Sequence, residues 1–190
     1  MGRRYTGRMV TTLVIVGILV VVLGGPVLVL HLMGRKLPEE HTSFAVITLS
    51  NSTEEVWGVI ADAERQGEWM KQVTKVEKLP DRNGHTVWKQ TMGRNSFSLE
   101  EVVVEKPRRL KREIVDNNGP FSGSWEFLLI PVPGPDPERK KVKVRLTEKG
   151  KVTATVPRAI MHMFGEDMYL KKYLSALAGR FGQKANFSHD

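Results

Sequence analysis

The sequence contains no cysteine, and this absence excludes several kinds of chemistry. Without a thiol there is no disulfide bond, no thiolate metal site and no cysteine nucleophile. The five histidines lack the spacing of a zincin-like metal site, and no phosphate-binding glycine loop, dinucleotide fingerprint or G-x-S-x-G elbow is present. We therefore expect no metal and no cofactor, and the motifs assign no catalytic residue.

Acidic residues are missing from the first part of the chain, since none precedes Glu39. The formal net charge is +8, from 29 basic and 21 acidic residues. Five of the basic residues flank one apolar segment: Arg3, Arg4, Arg8, Arg35 and Lys36. Without those five, the chain has 24 basic and 21 acidic residues. The high isoelectric point is thus a local feature, and we expect no nucleic-acid partner.

The apolar segment covers residues 9–33, whose only titratable side chain is His31. About 20 helical residues cross a hydrocarbon core of about 30 Å, so the segment predicts a transmembrane helix. A cleavable signal peptide is the alternative, but the run is longer and lacks a small-residue cleavage site. Three basic residues precede the segment and two follow it, which favours a domain on the outer side. We expect a single-pass membrane protein with the lipid bilayer as a partner.

The flanking segments complete the predicted organisation: a basic tail at 1–8, a linker at 34–41, a folded domain at 42–183 and a disordered tail at 184–190. Within the domain, Ser52 and Glu55 have the spacing of a capping box, so a helix begins there. From Pro157 onward, apolar residues recur every three or four positions, which predicts one amphipathic helix of about 25 residues. Strand patterns bounded by turn residues lie at 42–49, 73–79, 86–92, 96–105, 110–116, 123–130 and 141–147.

The element order is therefore one strand, two short helices, about six antiparallel strands and one long helix. An antiparallel meander buries one face, and the long helix is the element large enough to cover it. The predicted fold class is α+β.

Several short motifs accompany this order: Val56-Trp57 at a helix start, Asp62, Trp69, a Val73-x-x-Val76-Glu77 strand, Gly123-Ser124-Trp125-Glu126-Phe127, and Pro157-Arg158 before the last helix. Together they resemble the START-like helix-grip superfamily, in particular its polyketide cyclase/dehydrase and lipid-transport (SRPBCC) branch. The resemblance covers roughly residues 42–183. It implies a curved antiparallel sheet wrapped round the long C-terminal helix, with a cavity between them for an apolar ligand. The predicted anchor is an addition to the family pattern.

The resemblance and the residue types together suggest which side chains line such a cavity. Aromatic rings and methionine thioethers suit apolar ligands, and plain core packing is the alternative for each position. The candidate ligand-binding residues are Trp69, Trp88, Met92, Phe97, Trp125, Phe127, Met161, Phe164 and Met168.

Acid–base candidates are fewer. Glu100, Glu101 and Glu105 follow each other on one predicted strand, where a period of two places Glu101 and Glu105 on the same face and Glu100 on the other. Such residues more often form a solvated sheet face than a catalytic pair. His162 lies on the predicted long helix, where a surface position is the alternative to a cavity position.

Three functions remain open. The leading hypothesis is a non-catalytic domain that binds a hydrophobic small molecule or lipid beside the membrane. The second is a cyclase/dehydratase-type enzyme on an apolar substrate, which a buried polar dyad would favour. The third is a protein-interaction domain, which a filled core would favour.

Overall fold

A long antiparallel sheet dominates the computed structural model, which describes residues 15, 22, 24–115, 119–133 and 140–188. The strands are β1 (Glu40–Leu49), β2 (Val73–Arg82), β3 (His85–Met92), β4 (Asn95–Glu105), β5 (Arg109–Val115), β6 (Phe121–Val132), β7 (Lys141–Val152) and β8 (Phe187–Ser188). The helices are α1 (described over residues 24–36), α2 (Thr53–Ala61), α3 (Gln66–Trp69), α4 (Thr155–Phe164) and α5 (Met168–Arg180). All seven predicted strands are present, and the α+β class is confirmed.

The described residues form two compact units. The first combines those up to Glu39 with Thr153–Phe164, and the second combines Glu40–Val152 with those from Gly165 onward. The sheet, α2, α3 and α5 all belong to the second unit, whereas α1 and α4 form the first.

The strand order in the second unit is β2-β3-β4-β5-β6-β7-β1-β8, with antiparallel neighbours throughout. One face carries the core, because Ala45, Leu146, Phe127 and Leu110 lie opposite one another on four adjacent strands and are all buried. We call this the inner face. Strand β8 lies within the segment predicted as a disordered tail, and it pairs with β1.

Two helices of the second unit pack against this sheet. Helix α5 buries Leu170, Leu174 and Leu177 against β1 and β7. Helix α2 begins as predicted: Ser52 Oγ accepts a hydrogen bond from Glu55 N, and Glu55 Oε2 accepts one from Ser52 N at 2.8 Å. The capping box is therefore confirmed.

The predicted long C-terminal helix is two helices. Gly165 separates α4 from α5 and has a φ of +95°, a left-handed conformation that residues with a Cβ rarely adopt. The apolar pattern continues across this glycine, which is why it predicted a continuous helix. The correction matters because α4 and α5 fall into different units.

In the first unit, Arg158 of α4 holds the end of α1. Its guanidinium donates to the carbonyl oxygens of Gly34, Leu37 and Thr153 at 3.1, 2.9 and 2.8 Å, and pairs with Glu39 at 3.1 Å. The last carbonyl groups of a helix have no partner within it, so a buried arginine stabilises this end.

The predicted membrane span at 9–33 lies largely outside the described residues. In the described part of the chain, no helix combines the length and the apolar character that a crossing requires. The prediction of a single-pass membrane protein with its domain on the outer side is therefore wrong on this finding.

Candidate functional site

Aromatic side chains connect α3, α5 and the inner face of the sheet. Trp69 of α3 meets the Tyr173 ring of α5 edge-on, with ring centroids 5.2 Å apart. The other centroid distances are Phe127–Tyr173 5.2 Å, Trp125–Tyr169 5.6 Å and Phe97–Trp125 6.1 Å. The cluster spans two strands and two helices, so it fixes the position of α5 over the sheet.

A small cavity lies inside this cluster. It is lined by Gln66, Gln90, Leu99, Arg112, Trp125, Phe127, Leu146, Tyr169 and Tyr173. Its volume is about 20 Å³, which is room for about one water molecule. A larger ligand therefore requires that some of the lining side chains move.

One row of the inner face is polar. Across five strands the register places Ser43, Glu148, Trp125, Arg112 and Glu101 opposite one another in succession. Arg112 Nη2 and Nε donate to Glu101 Oε1 at 2.7 and 2.9 Å, and the side chain of Arg112 is buried while that of Glu101 is largely buried. The two charges are thus paired with each other.

Glu148 has no such cationic partner. Burial raises the pKa of Glu148 to about 7, against a smaller opposing effect of the neighbouring Trp125 indole. A carboxylate transferred from water into a poorly solvated site holds its proton more tightly. Near neutral pH both protonation states of Glu148 are therefore populated.

His41 lies beside Glu148 on the inner face, with Nε2 of His41 3.9 Å from Oε1 of Glu148. The imidazole covers Gly150, its partner on β7. A Cβ at position 150 would lie 2.3 Å from Cε1 of His41, closer than real contacts allow. Only glycine at this position leaves room for the ring.

Several buried polar atoms here make no hydrogen bond within the described residues. They are Nδ1 and Nε2 of His41, Nε1 of Trp88 and the hydroxyl of Tyr173, whereas the indole of Trp125 interacts with Glu148. Burial raises the pKa of Tyr173 to about 12, with Arg112 opposing, so the phenol stays protonated near neutral pH. A buried donor without an acceptor costs about 1–3 kcal/mol. The interior thus offers donors to a bound acceptor.

The structure places the predicted ligand-binding residues in two groups. On the inner face or against the core lie Trp69, Trp88, Met92, Phe97, Trp125 and Phe127. Met161 and Phe164 lie on α4 in the first unit, where Phe164 is 67% exposed. Met168 begins α5 and is 40% exposed. Of the nine candidates, Trp125 and Phe127 are among the residues that line the cavity.

The three glutamates of β4 do not follow the predicted alternation. A bulge between Glu101 and Val103 shifts the register by one residue, so Glu105 lies opposite Arg109 on the other face from Glu101. Glu100 is buried, and its Oε1 accepts a hydrogen bond from His85 Nδ1 at 2.7 Å. His162 is exposed on α4, and the described residues contain no cluster of three metal-ligating side chains.

Sequence reasoning missed His41, Arg112 and Glu148 as parts of the site. Each lies on the period-two pattern of an apolar strand face: His41 precedes Ala45 and Ile47, Arg112 lies between Leu110 and Ile114, and Glu148 follows Val144 and Leu146. A polar residue at such a position was the available signal.

Comparisons with known proteins agree with this architecture. The family described as polyketide cyclase / dehydrase and lipid transport matches residues 41–181. A search of the curated proteins finds no match.

Three solved structures illustrate the likeness. The Zhui aromatase/cyclase from a Streptomyces species is 16% identical, with a TM-score of 0.61 over 74% of this chain and 93% of that one. A START superfamily protein from Mycobacterium smegmatis has the same identity and TM-score, over 74% and 96% of the two chains. Truncated norcoclaurine synthase from Thalictrum flavum is 11% identical, with a TM-score of 0.55 over 73% and 91%. Identities this low show a shared fold. Because the family match extends over most of the sequence, the chain belongs to the polyketide cyclase/dehydrase and lipid-transport family.

Proposed function

We propose that the chain binds an apolar small molecule, such as a lipid, between the inner face of the sheet and α5. The family supports a hydrophobic ligand in general terms. Aromatic rings form the walls of the proposed site, and ligand pockets are typically apolar with a few converging polar groups.

An unpartnered donor carries this proposal. The hydroxyl of Tyr173 is buried, lies on a residue that lines the cavity and donates to no described atom. A plain core would not leave such a hydroxyl unsatisfied. The ligand we propose therefore has an apolar body and at least one hydrogen-bond acceptor.

The small cavity favours a different candidate, a protein-interaction domain with a filled core. A volume of about 20 Å³ holds no lipid chain. The proposed ligand needs an opening, and the four-residue α3 with half-buried Trp69 is the shortest element in the wall. The two candidates therefore differ in whether the folded protein takes up an apolar probe.

Binding of Nile red, a neutral apolar dye with a carbonyl acceptor, tests this point. We expect fluorescence enhancement with a micromolar Kd, about −8 kcal/mol. Tyr173→Phe removes the unpartnered hydroxyl and should weaken binding. Tyr169→Phe is the matched control on the same helix, because its hydroxyl already donates to Met92 Sδ. No binding by the folded protein would reject the proposal and leave the filled-core candidate.

A specific observation also favours acid–base catalysis as a second candidate function. The pKa of Glu148, raised to about 7 by burial, suits proton transfer near neutral pH. In D2O, the protein should then exchange the protons next to the carbonyl of 2-tetralone, measured by NMR. Glu148→Gln should abolish this exchange while Nile red still binds. Equal exchange by both proteins would reject the role of Glu148.

A further inference from the structure

A second, much larger space lies on the surface of the second unit. It is an open groove of about 550 Å³ between α5 and the segment that joins α3 to β2. Its walls include Trp69, Lys71, Lys172 and Arg180. The groove is large enough for part of a small molecule without any movement of the chain.

The charge of this groove is positive. Lys71, Lys172 and Arg180 make no ion pair with any described residue. Glu68 is the one carboxylate among the lining residues, and both of its oxygens accept hydrogen bonds from Arg65, at 2.8 and 2.9 Å. These bonds lower the pKa of Glu68, and Arg180 adds a smaller effect in the same direction.

The C-terminal end of α5 also carries a partial negative charge of about half an elementary charge. The three cations outweigh it. An anion in the groove would therefore meet three cations that form no ion pair with a described residue. Exposed cations of this kind each contribute little, but three around one anion act together.

Trp69 connects the groove with the interior. It is a lining residue of the groove, and its ring also meets Tyr173 edge-on at 5.2 Å. Tyr173 in turn lines the interior cavity. One half-buried side chain of a four-residue helix thus separates the open groove from the nearly filled interior.

The floor of the groove is formed by small residues of α5. Ala176 and Gly179 lie there, and a Cβ built on Gly179 would meet no atom within 4 Å. An extended apolar chain can therefore approach the helix closely beside Trp69.

We propose that this groove is the entrance to the interior and selects an amphiphile with an anionic head group. The head group lies against Lys71, Lys172 and Arg180, and the apolar chain displaces Trp69 to reach the inner face. This inference rests on the proposed binding function and adds to it the class of ligand. A carboxylate and a phosphate share the recognised feature, which is a compact anion on an apolar chain.

Titration calorimetry at low salt separates the contributions of head group and chain. We expect dodecanoate to bind with a Kd about tenfold lower than that of dodecanol, because the three cations attract the carboxylate of dodecanoate and not the neutral hydroxyl of dodecanol. The preference should shrink as salt is added, since exposed charges are screened. If any compact anion suffices, dodecyl phosphate should also bind more tightly than dodecanol. If the site is specific for carboxylates, only dodecanoate should do so. Acetate should bind far more weakly than dodecanoate, since it has no chain.

Charge reversal tests the groove itself. In the double variant Lys172→Glu, Arg180→Glu, the ratio of the dodecanol and dodecanoate Kd values should fall from about ten to about one. Lys184→Glu is the control, because Lys184 is exposed just beyond α5 and does not line the groove. Unfolding midpoints of the variants show whether each remains folded. Trp69→Leu should give faster association of dodecanol in stopped-flow measurements.

The outcomes distinguish this inference from the proposed function. If dodecanol binds but dodecanoate shows no preference, or if the double variant keeps the preference, the anionic head group is rejected and the apolar site remains. If Trp69→Leu leaves the association rate of dodecanol unchanged, Trp69 is not the barrier between the groove and the interior. If neither ligand binds, the binding function and this inference both fail.

Discussion

Nε2 of His41 lies 3.9 Å from Oε1 of Glu148, and both side chains are largely buried on the inner face of the sheet. This distance is too long for a hydrogen bond. The charge of Arg112 is paired with Glu101 and is therefore not available to Glu148. The pKa of Glu148 is raised by burial, with the Trp125 indole opposing.

The raised pKa of Glu148 predicts how stability depends on pH. The ordinary value is 4.5 and the folded value about 7, so the folded protein retains a proton that the unfolded chain has lost between these pH values. The free energy of unfolding should thus decrease as pH rises from 4.5 to 7, by roughly 3 kcal/mol. Glu148→Gln should remove this decrease in urea unfolding, whereas Glu64→Gln, an exposed control, should retain it. Carboxyl 13C shifts that place the Glu148 midpoint near 4.5 would contradict the prediction.

The buried pair of Arg112 and Glu101 predicts a large effect of removing one partner. Arg112→Met leaves the Glu101 carboxylate buried without a cation, which should lower the free energy of unfolding by about 3–5 kcal/mol. Replacing both residues by methionine should cost less than the single change. Arg65→Met, which breaks an exposed pair with similar bonds, is the control and should have a far smaller effect. Equal losses for the two arginines would contradict this account.

The contact of His41 with Gly150 predicts coupling between the two positions. Gly150→Ala should lower the free energy of unfolding by about 1–3 kcal/mol, because the new methyl group overlaps the imidazole. In a His41→Ala background the same change should cost less. Gly58→Ala is the control in α2, where a Cβ meets no atom, and should raise stability by about 0.5–1 kcal/mol. Identical costs in both backgrounds would show that His41 is not the obstacle.

The conformation of Gly165 predicts a graded effect of substitution. Gly165→Ala should lower the free energy of unfolding by about 1 kcal/mol or more, since alanine disfavours a φ of +95°. Gly165→Asn should cost less, because asparagine tolerates left-handed conformations better. Thermal unfolding compares the two variants. If both were neutral, the break between α4 and α5 would not depend on glycine.

The strands were predictable from the sequence because alternation and turn residues are local signals. In residues 110–116 the side chains alternate between two faces, and the structure has the strand β5 (Arg109–Val115) at this place. In that alternation Arg112 shares a face with Leu110 and Ile114. What it did not supply was a partner for the charge, because that depends on the register of β4 and on the bulge at Glu101.

The site was less predictable than the fold for the same reason. His41 and Glu148 are more than 100 positions apart, and their proximity arises only when β1 pairs with β7. The helix break was missed because an apolar period carries no information about φ. Met161 and Phe164 were consequently placed on one helix with Met168, whereas they lie on α4 and Met168 begins α5.

The guanidinium of Arg158 has a consequence for where this protein can be shortened. The family match begins at residue 41, yet three acceptors of Arg158 lie before that point, at Gly34, Leu37 and Glu39. A chain trimmed to the family boundary would keep the buried guanidinium of Arg158. It would lose the carboxylate of Glu39 and the two carbonyl oxygens that accept its hydrogen bonds. A physically sensible cut therefore lies N-terminal to Gly34, because a boundary drawn by sequence similarity divides a group of residues that fold together.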